Sequence, residues 1–322
     1  MTSTTLQSSL RRVMIVPPIW LILIACMVFF SLAAENFLAL NNFTNILIQT
    51  STIGLIALGM TVVMINGNID LSVGAVVALA ASLSVGMQDQ LGILPAVAVG
   101  LGSGMALGFL NGVIVWKTGV DAFIVTLGAM IGVRGLVFLY TKEQSFFSMN
   151  FAYADFGMSS LAGVPTLAIV FIAFTAIMHW LMTSTTHGRN AYAVGGNREA
   201  AENAGIRVGW HMVANFVLVG FFAALAGITL STQMGASTPN LGINYELWTI
   251  TAVVLGGTKL AGGAGSILGT LGGVLTIGVL RNGMNLMQVP AFYVLVVMGV
   301  ILIAVLFVDQ RVSRREAEEL KL

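Results

Sequence analysis

The stretch from Leu58 to Leu79 reads LGMTVVMINGNIDLSVGAVVAL, an apolar run that breaks at Asn66-Gly67-Asn68-Ile69-Asp70-Leu71-Ser72 and then resumes. The flanks belong to two apolar stretches, 45–65 and 70–87, of the kind that enters a bilayer. A break in such a stretch is tolerated only where protein holds the freed backbone or a cavity receives it. Broken helices of this type sit near the solute path in transporters built from related halves. The break thus predicts a helical membrane fold and marks a place to look for function.

Hydrophobic residues make up 57% of the 322 positions and charged ones 8%. The mean hydropathy is +0.94, whereas a soluble domain carries about a quarter charged residues. Further apolar stretches fall at 14–34, 92–116, 121–140, 162–182, 212–232, 247–263, 265–282 and 289–308. The chain therefore reads as an all-α integral membrane protein of about ten transmembrane helices, some short or broken. Its expected organisation is an N-terminal segment 1–13, one transmembrane domain 14–308 and a tail 309–322. The weak stretches 70–87 and 247–282 leave nine or eleven spans, or a re-entrant segment, open. Arg11 and Arg12 ahead of an apolar run could imitate a secretory signal, but Pro17 and Pro18 interrupt the run, which reads as an uncleaved span.

Basic residues collect on the cytoplasmic side of membrane proteins. With ten spans and the N-terminus inside, Arg11, Arg12, Lys117, Arg189, Arg198, Arg207, Lys259, Arg311, Arg314, Arg315 and Lys321 all fall there, leaving Arg134, Lys142 and Arg281. Both termini are expected in the cytoplasm, and 183–211 becomes the largest internal loop. Glycines recur every fourth residue at Gly100, Gly104, Gly108 and Gly112, at Gly128 and Gly132, and at Gly265, Gly269 and Gly273. That spacing puts each set on one helix face, where a neighbouring backbone can approach closely. A faint echo of the opening segment begins at Leu255, LGGTKLAGGAGSILGTLGGVL.

Chemistry-bearing motifs are few. Cys26 is the only cysteine, and His179, His187 and His211 lack metal-ligand spacing. Gly256-Gly257-Thr258-Lys259 lacks the spacing of a phosphate-binding loop. Energy must then come from an ion gradient, which needs carboxylates in spans, or from a separate ATPase. Asp70, Asp121 and Glu246 lie near span ends, which disfavours ion coupling. Asp70 reads as a helix cap for the span beginning near Val73, or as a solute contact. In the internal loop, a helix-prone stretch from Arg198 to Ala204 follows a Gly195-Gly196 turn and is closed by Gly205. Short, polar and internal, it suits a groove on another protein.

The sequence VGGNREAAENAGI resembles the coupling segment of permease subunits in bacterial ATP-binding-cassette importers, with Glu199-Ala200-Ala201 and Gly205 on the family's EAA-and-glycine pattern. NIDLSVGA at 68–75 and AVVLGGTKLAGGAGSILGT at 252–270 resemble two signatures of the ribose-type sugar permeases, and the likeness is collinear from about Asn42 to Asp309. Asn68 and Ala75 stand where the family often has glycine and serine, and Trp248 where an acidic residue often follows the YEL of 245–247.

The resemblance implies a bacterial inner-membrane permease for a monosaccharide or related polyol, itself no enzyme and binding no cofactor. ATP and Mg belong on a cytoplasmic ATPase partner. A periplasmic sugar-binding protein delivers solute, and a second permease, expected as a homodimer, completes the pathway; nucleic acid is not expected. Coupling is assigned to Gly195, Gly196, Asn197, Glu199, Ala200, Ala201 and Gly205. The pathway is assigned to Asn66, Asn68, Asp70, Ser72, Asn111, Thr126 and Arg134, with Asn244, Glu246 and Trp248 at the outer mouth, because amides and hydroxyls match sugar hydroxyls. Arg134 has a second reading as a residue that pairs or snorkels. The competing readings are a permease for amino acids or nucleosides, an ion-coupled carrier, and a non-transporting scaffold or receptor.

Overall fold

A computed structural model describes residues 18–319; Arg11, Arg12, Lys321 and the N-terminal segment 1–13 lie outside the described residues. Fourteen helices follow in order: α1 Pro18–Ala33, α2 Leu40–Ile65, α3 Val73–Gly86, α4 Gln88–Leu91, α5 Ile93–Thr118, α6 Ala122–Thr141, α7 Phe151–Met158, α8 Thr166–Ser184, α9 Thr186–Gly196, α10 Arg198–Asn203, α11 Val208–Met234, α12 Tyr245–Leu255, α13 Ile267–Leu286 and α14 Ala291–Glu319. Two short antiparallel ladders join Phe146–Phe147 (β1) to Ala236–Ser237 (β4) and Ser160–Leu161 (β2) to Val164–Pro165 (β3).

Each of the ten apolar stretches holds one apolar helix. Seven (α2, α5, α6, α8, α11, α13 and the 291–311 part of α14) are long and apolar enough to cross a membrane. Three are shorter: α1, α3 and α12. At 1.5 Å per residue, α3 and α12 rise only about 21 and 16 Å, against a hydrocarbon core of ~30 Å. The stretch 247–263 therefore does not form a full span. Its helix stops at Leu255, because Gly256 and Gly257 end it, and α3 begins only at Val73.

Both breaks use the same device. Gly67 at φ 80° and Gly257 at φ 91° occupy the left-handed region that glycine reaches without a Cβ penalty. The Gly67 and Asn68 amides donate to the carbonyls of Met64 (2.9 Å) and Val63 (3.0 Å); the Gly257 and Thr258 amides donate to Val254 (2.8 Å) and Val253 (3.2 Å). Each pair satisfies carbonyls that a bilayer cannot, the bonding of a Schellman cap. The match sets the register of the echo: Ile65 corresponds to Leu255, so Leu58 lies opposite Trp248 and not opposite Leu255.

At the centre α2 and α11 are buried along most of their length, α11 lying against α5, α2 and α3. The α5 glycines form this seam. A Cβ on Gly108 would collide with the Phe216 carbonyl, and one on Gly104 with that of Gly220. On α13, Gly269 and Gly273 meet the α12 backbone at Gly256 and Ala252. Gly128 and Gly132 of α6 face open space, so these two are not packed within the chain. Gly108→Leu is expected to lower the thermal stability of the solubilised protein strongly, by about 1–3 kcal/mol or more. Gly132→Ala should leave the melting temperature nearly unchanged; equal losses would refute the packing assignment.

Candidate functional site

The polar break of 66–72 is held by a buried network. Asp70 Oδ1 accepts from the Ser72 amide (2.8 Å) and from the Ser72 hydroxyl (2.6 Å), and Asn111 Nδ2 on α5 donates to Ser72 Oγ (3.1 Å). The Leu71 amide donates to Thr126 Oγ1 on α6 (3.1 Å), whose hydroxyl turns back to the Ala122 carbonyl (2.8 Å). Asp70, Ser72, Asn111 and Thr126 are thus brought together as the sequence assignment grouped them. All four are at most 3% exposed, so in this conformation they secure the break. Ser72, in the N-cap position of α3, makes no side-chain capping bond, and Asp70 accepts from the amide and hydroxyl of Ser72, not from an amide of the helix.

Arg134, in the second half of α6, fastens the same N-terminal end of α3. Its guanidinium donates to the carbonyls of Pro239 (2.9 Å), Leu241 (2.8 Å) and Gly74 (3.2 Å). This staples the segment between β4 and α12, in which Pro239, Leu241 and Gly242 are buried, to the first turn of α3. Glu246 lies against Gly74 and attracts Arg134 without a direct ion pair. Asn244 adopts φ 67° ahead of α12 and makes no side-chain cap. Trp248 packs on Tyr245 with ring centroids 5.3 Å apart.

Asn66 and Asn68 lie elsewhere, beside the internal loop. They line a cavity of about 230 Å³ with Gly195, Asn197 and Arg198. Asn68 and Arg198 also line a neighbouring cavity of about 420 Å³ that includes Asp121 and Met212. The pathway and coupling assignments, separate in the sequence, meet here.

The internal loop is a helical hairpin, α9–α10. Gly195 and Gly196 are the last residues of α9 and not a free turn; the chain reverses at Asn197, whose side chain accepts from the Ala200 amide (2.9 Å). Gly205, at φ 85°, closes α10 as expected, with its own amide and that of Ile206 donating to Glu202 (2.9 Å) and Ala201 (3.1 Å). Ala201 turns inward against Val194 and Val208, while Glu199 and Ala200 are exposed. A Cβ at Gly195 would strike the carbonyl of Ile65, the last residue of α2, and that same carbonyl accepts from the Gly263 amide (2.8 Å). Tyr192 Oη donates to the Gly265 carbonyl (2.9 Å). The hairpin is therefore seated on both breaks. Tyr192 carries no motif in the sequence, so nothing local identifies it.

At the root of the hairpin, His187 and His211 lie with ring centroids 4.5 Å apart, next to the buried amide of Asn215. Among the described residues no group of three or more metal-ligating side chains occurs. Burial holds the His187 imidazole below its ordinary value of 6.5, with Asn215 opposing.

A family profile described as branched-chain amino acid transport system / permease component matches residues 42–306. The ribose import permease protein RbsC of Bacillus subtilis is 41% identical over 88% of this chain and 89% of its own length. The D-allose transport system permease protein AlsC of Escherichia coli K12 is 36% identical over 89% of each. The L-arabinose ABC transporter permease protein AraH of Azospirillum brasilense is 35% identical over 89% of this chain and 85% of its own. No solved structure matches.

Two outcomes follow from the geometry. Arg134→Leu removes the donor to the non-helical carbonyls of Pro239 and Leu241 and is expected to cost a few kcal/mol, at about 1–3 per buried unsatisfied group; thermal melts in detergent read this, and an unchanged melting temperature would refute the staple. Because the folded imidazole of His187 binds its proton less readily than the unfolded one, stability is full above pH 6.5 and declines as pH falls below it. His187→Gln should flatten that decline. Broken spans, a hairpin seated on both breaks, and collinear similarity over most of the chain together place this protein in the family of branched-chain amino acid transport system / permease components.

Proposed function

We propose that this chain is the translocating subunit of an ATP-binding-cassette importer for a monosaccharide or related polyol in the bacterial inner membrane. The observation that carries the reading is the hairpin α9–α10, exposed along Glu199 and Ala200 and seated through Gly195 on the ends of two broken helices. Such a part can receive movement from a partner and deliver it to the breaks. ATP and Mg sit on that partner, a cytoplasmic ATPase. A periplasmic binding protein supplies the solute from the other side, and a second copy of the chain completes the pathway.

The relatives named for ribose, allose and arabinose support a monosaccharide over an amino acid, although the family description names branched-chain amino acids. Orientation follows from charge and aromatic placement. Lys117, Arg198 and Arg207 lie at the hairpin end. There Trp116 packs on Trp210 with centroids 5.1 Å apart, and Lys117 Nζ lies 4.2 Å from the Trp116 ring. The basic residues support our reading that this end, and with it both termini, faces the cytoplasm, and the aromatic pair supports its lying at a membrane interface.

In the working cycle, closure of the ATPase dimer moves the hairpin; Gly195 and Tyr192 pass that displacement to Ile65, Gly263 and Gly265. The spans then exchange outward for inward access. Proteoliposomes holding the chain with its ATPase and binding protein should take up labelled monosaccharide only with ATP. Gly195→Ala should lower uptake about ten-fold or more while ATP hydrolysis continues. Gly196→Ala, whose Cβ meets open space, should leave uptake intact. Normal uptake by a correctly assembled Gly195→Ala protein would overturn the coupling route.

A further inference from the structure

Of the five tryptophans, four stand at the hairpin end. Trp116 and Trp210 pair there, Trp180 lies near the end of α8 just before the hairpin, and Trp20 packs on Gly272 near the start of α13. Trp248 is the exception. It lies on the short helix α12, whose backbone runs antiparallel to α13 through the contacts of Gly256 with Gly269 and Ala252 with Gly273. Following α13 two turns beyond Gly273 leads away from the hairpin and reaches Arg281. Its guanidinium carbon lies 4.0 Å from the centroid of the Trp248 ring.

Arg281 differs from the other basic residues away from the hairpin. Arg134 spends its donors on three carbonyls, and Lys142 caps α6 in a left-handed turn. Among the described residues no hydrogen bond or ion pair reaches the Arg281 guanidinium; its neighbours are the Trp248 face and Tyr245. Five N–H donors in a fixed fork are therefore held on an aromatic shelf within a spanning helix. An ionised side chain at that position faces an aqueous path or another protein, because lipid cannot solvate it. Trp248, Tyr245 and Arg281 are all half-buried, so each keeps some exposed surface.

We propose that Arg281, Trp248 and Tyr245 form a solute-contacting station for a monosaccharide in the outer half of the pathway. The inference rests on the transport reading above and adds to it a residue that no motif marks. The ring faces offer an apolar surface to the C–H face of a sugar, and the guanidinium donates to its hydroxyls. Arg281 also holds the Trp248 ring in place, so that one residue orients the platform and reads the solute.

The test uses the complete transporter in proteoliposomes and labelled D-ribose, D-allose and L-arabinose, each at saturating supply. Wild type should show ATP-driven uptake with unequal rates for the three. Arg281→Ala and Trp248→Ala should each lower uptake of the preferred sugar about ten-fold and change the ratio of rates among the three. Arg281→Lys and Trp248→Phe, which keep charge and ring, should recover part of both. Basal ATP hydrolysis and the melting temperature should stay near wild type. Unchanged rates and ratios would overturn the proposal. So would an equal loss for all three sugars accompanied by a lower melting temperature, which marks a purely structural pair. Wild type that hydrolyses ATP yet imports none of the three would instead remove the transport reading itself.

Discussion

A backbone inside a bilayer has no water to satisfy its amides and carbonyls, and every departure from helix must find partners within the protein. The architecture follows from how two such departures are managed. At Gly67 and Gly257 the chain leaves the helix through the same left-handed cap, and the freed carbonyls are taken up by the next two amides. The first break is then locked by side chains, Asp70 to Ser72 and Thr126 to Leu71. The second is locked by backbone, with Lys259 and Ala264 closing a turn (3.0 Å). Both are held by hydrogen bonds within the protein.

The hairpin α9–α10 rests on both breaks. Ile65 ends α2 with a carbonyl that accepts from Gly263 while lying against Gly195. Three segments distant in sequence meet there backbone to backbone, and a single methyl on Gly195 would hold them apart. Dispersion contacts at this distance transmit displacement with little give, since packed interiors compress poorly. Tyr192 adds a directional bond to the same region. Arg134 ties the segment before α12 to the first turn of α3 through the carbonyls of Pro239, Leu241 and Gly74.

The candidate site was legible to different depths. Of the residues assigned to the pathway, Asp70, Ser72, Asn111 and Thr126 lie in one hydrogen-bonded cluster, since polar side chains are rare in apolar spans and must find one another. Their burial was not legible, since periodicity cannot say which polar residue faces a cavity. Asn66 and Asn68 belong to the pathway assignment, and the fold places them beside Arg198 of the hairpin. Ala201 belongs to the coupling assignment, and its side chain is buried against Val194 and Val208. Arg281 was visible only as a basic residue on the unfavoured side, because its partner Trp248 is far away in sequence and the pairing depends on the antiparallel run of α12 and α13.

Hydrophobicity, charge asymmetry and glycine spacing are properties of the local chain, and by themselves they determined that this is a helical membrane protein, where its ten apolar helices lie and which loop is the polar hairpin. They determined as well that Gly205 would close α10, since a left-handed cap is a local requirement. Only the tertiary structure decided that α3 and α12 are too short to span, that the two breaks lie side by side, and that the hairpin rests on both. Only it separated the packed glycines of α5 from the open ones of α6. These are distances between segments remote in sequence, and no local rule of propensity or hydropathy contains them.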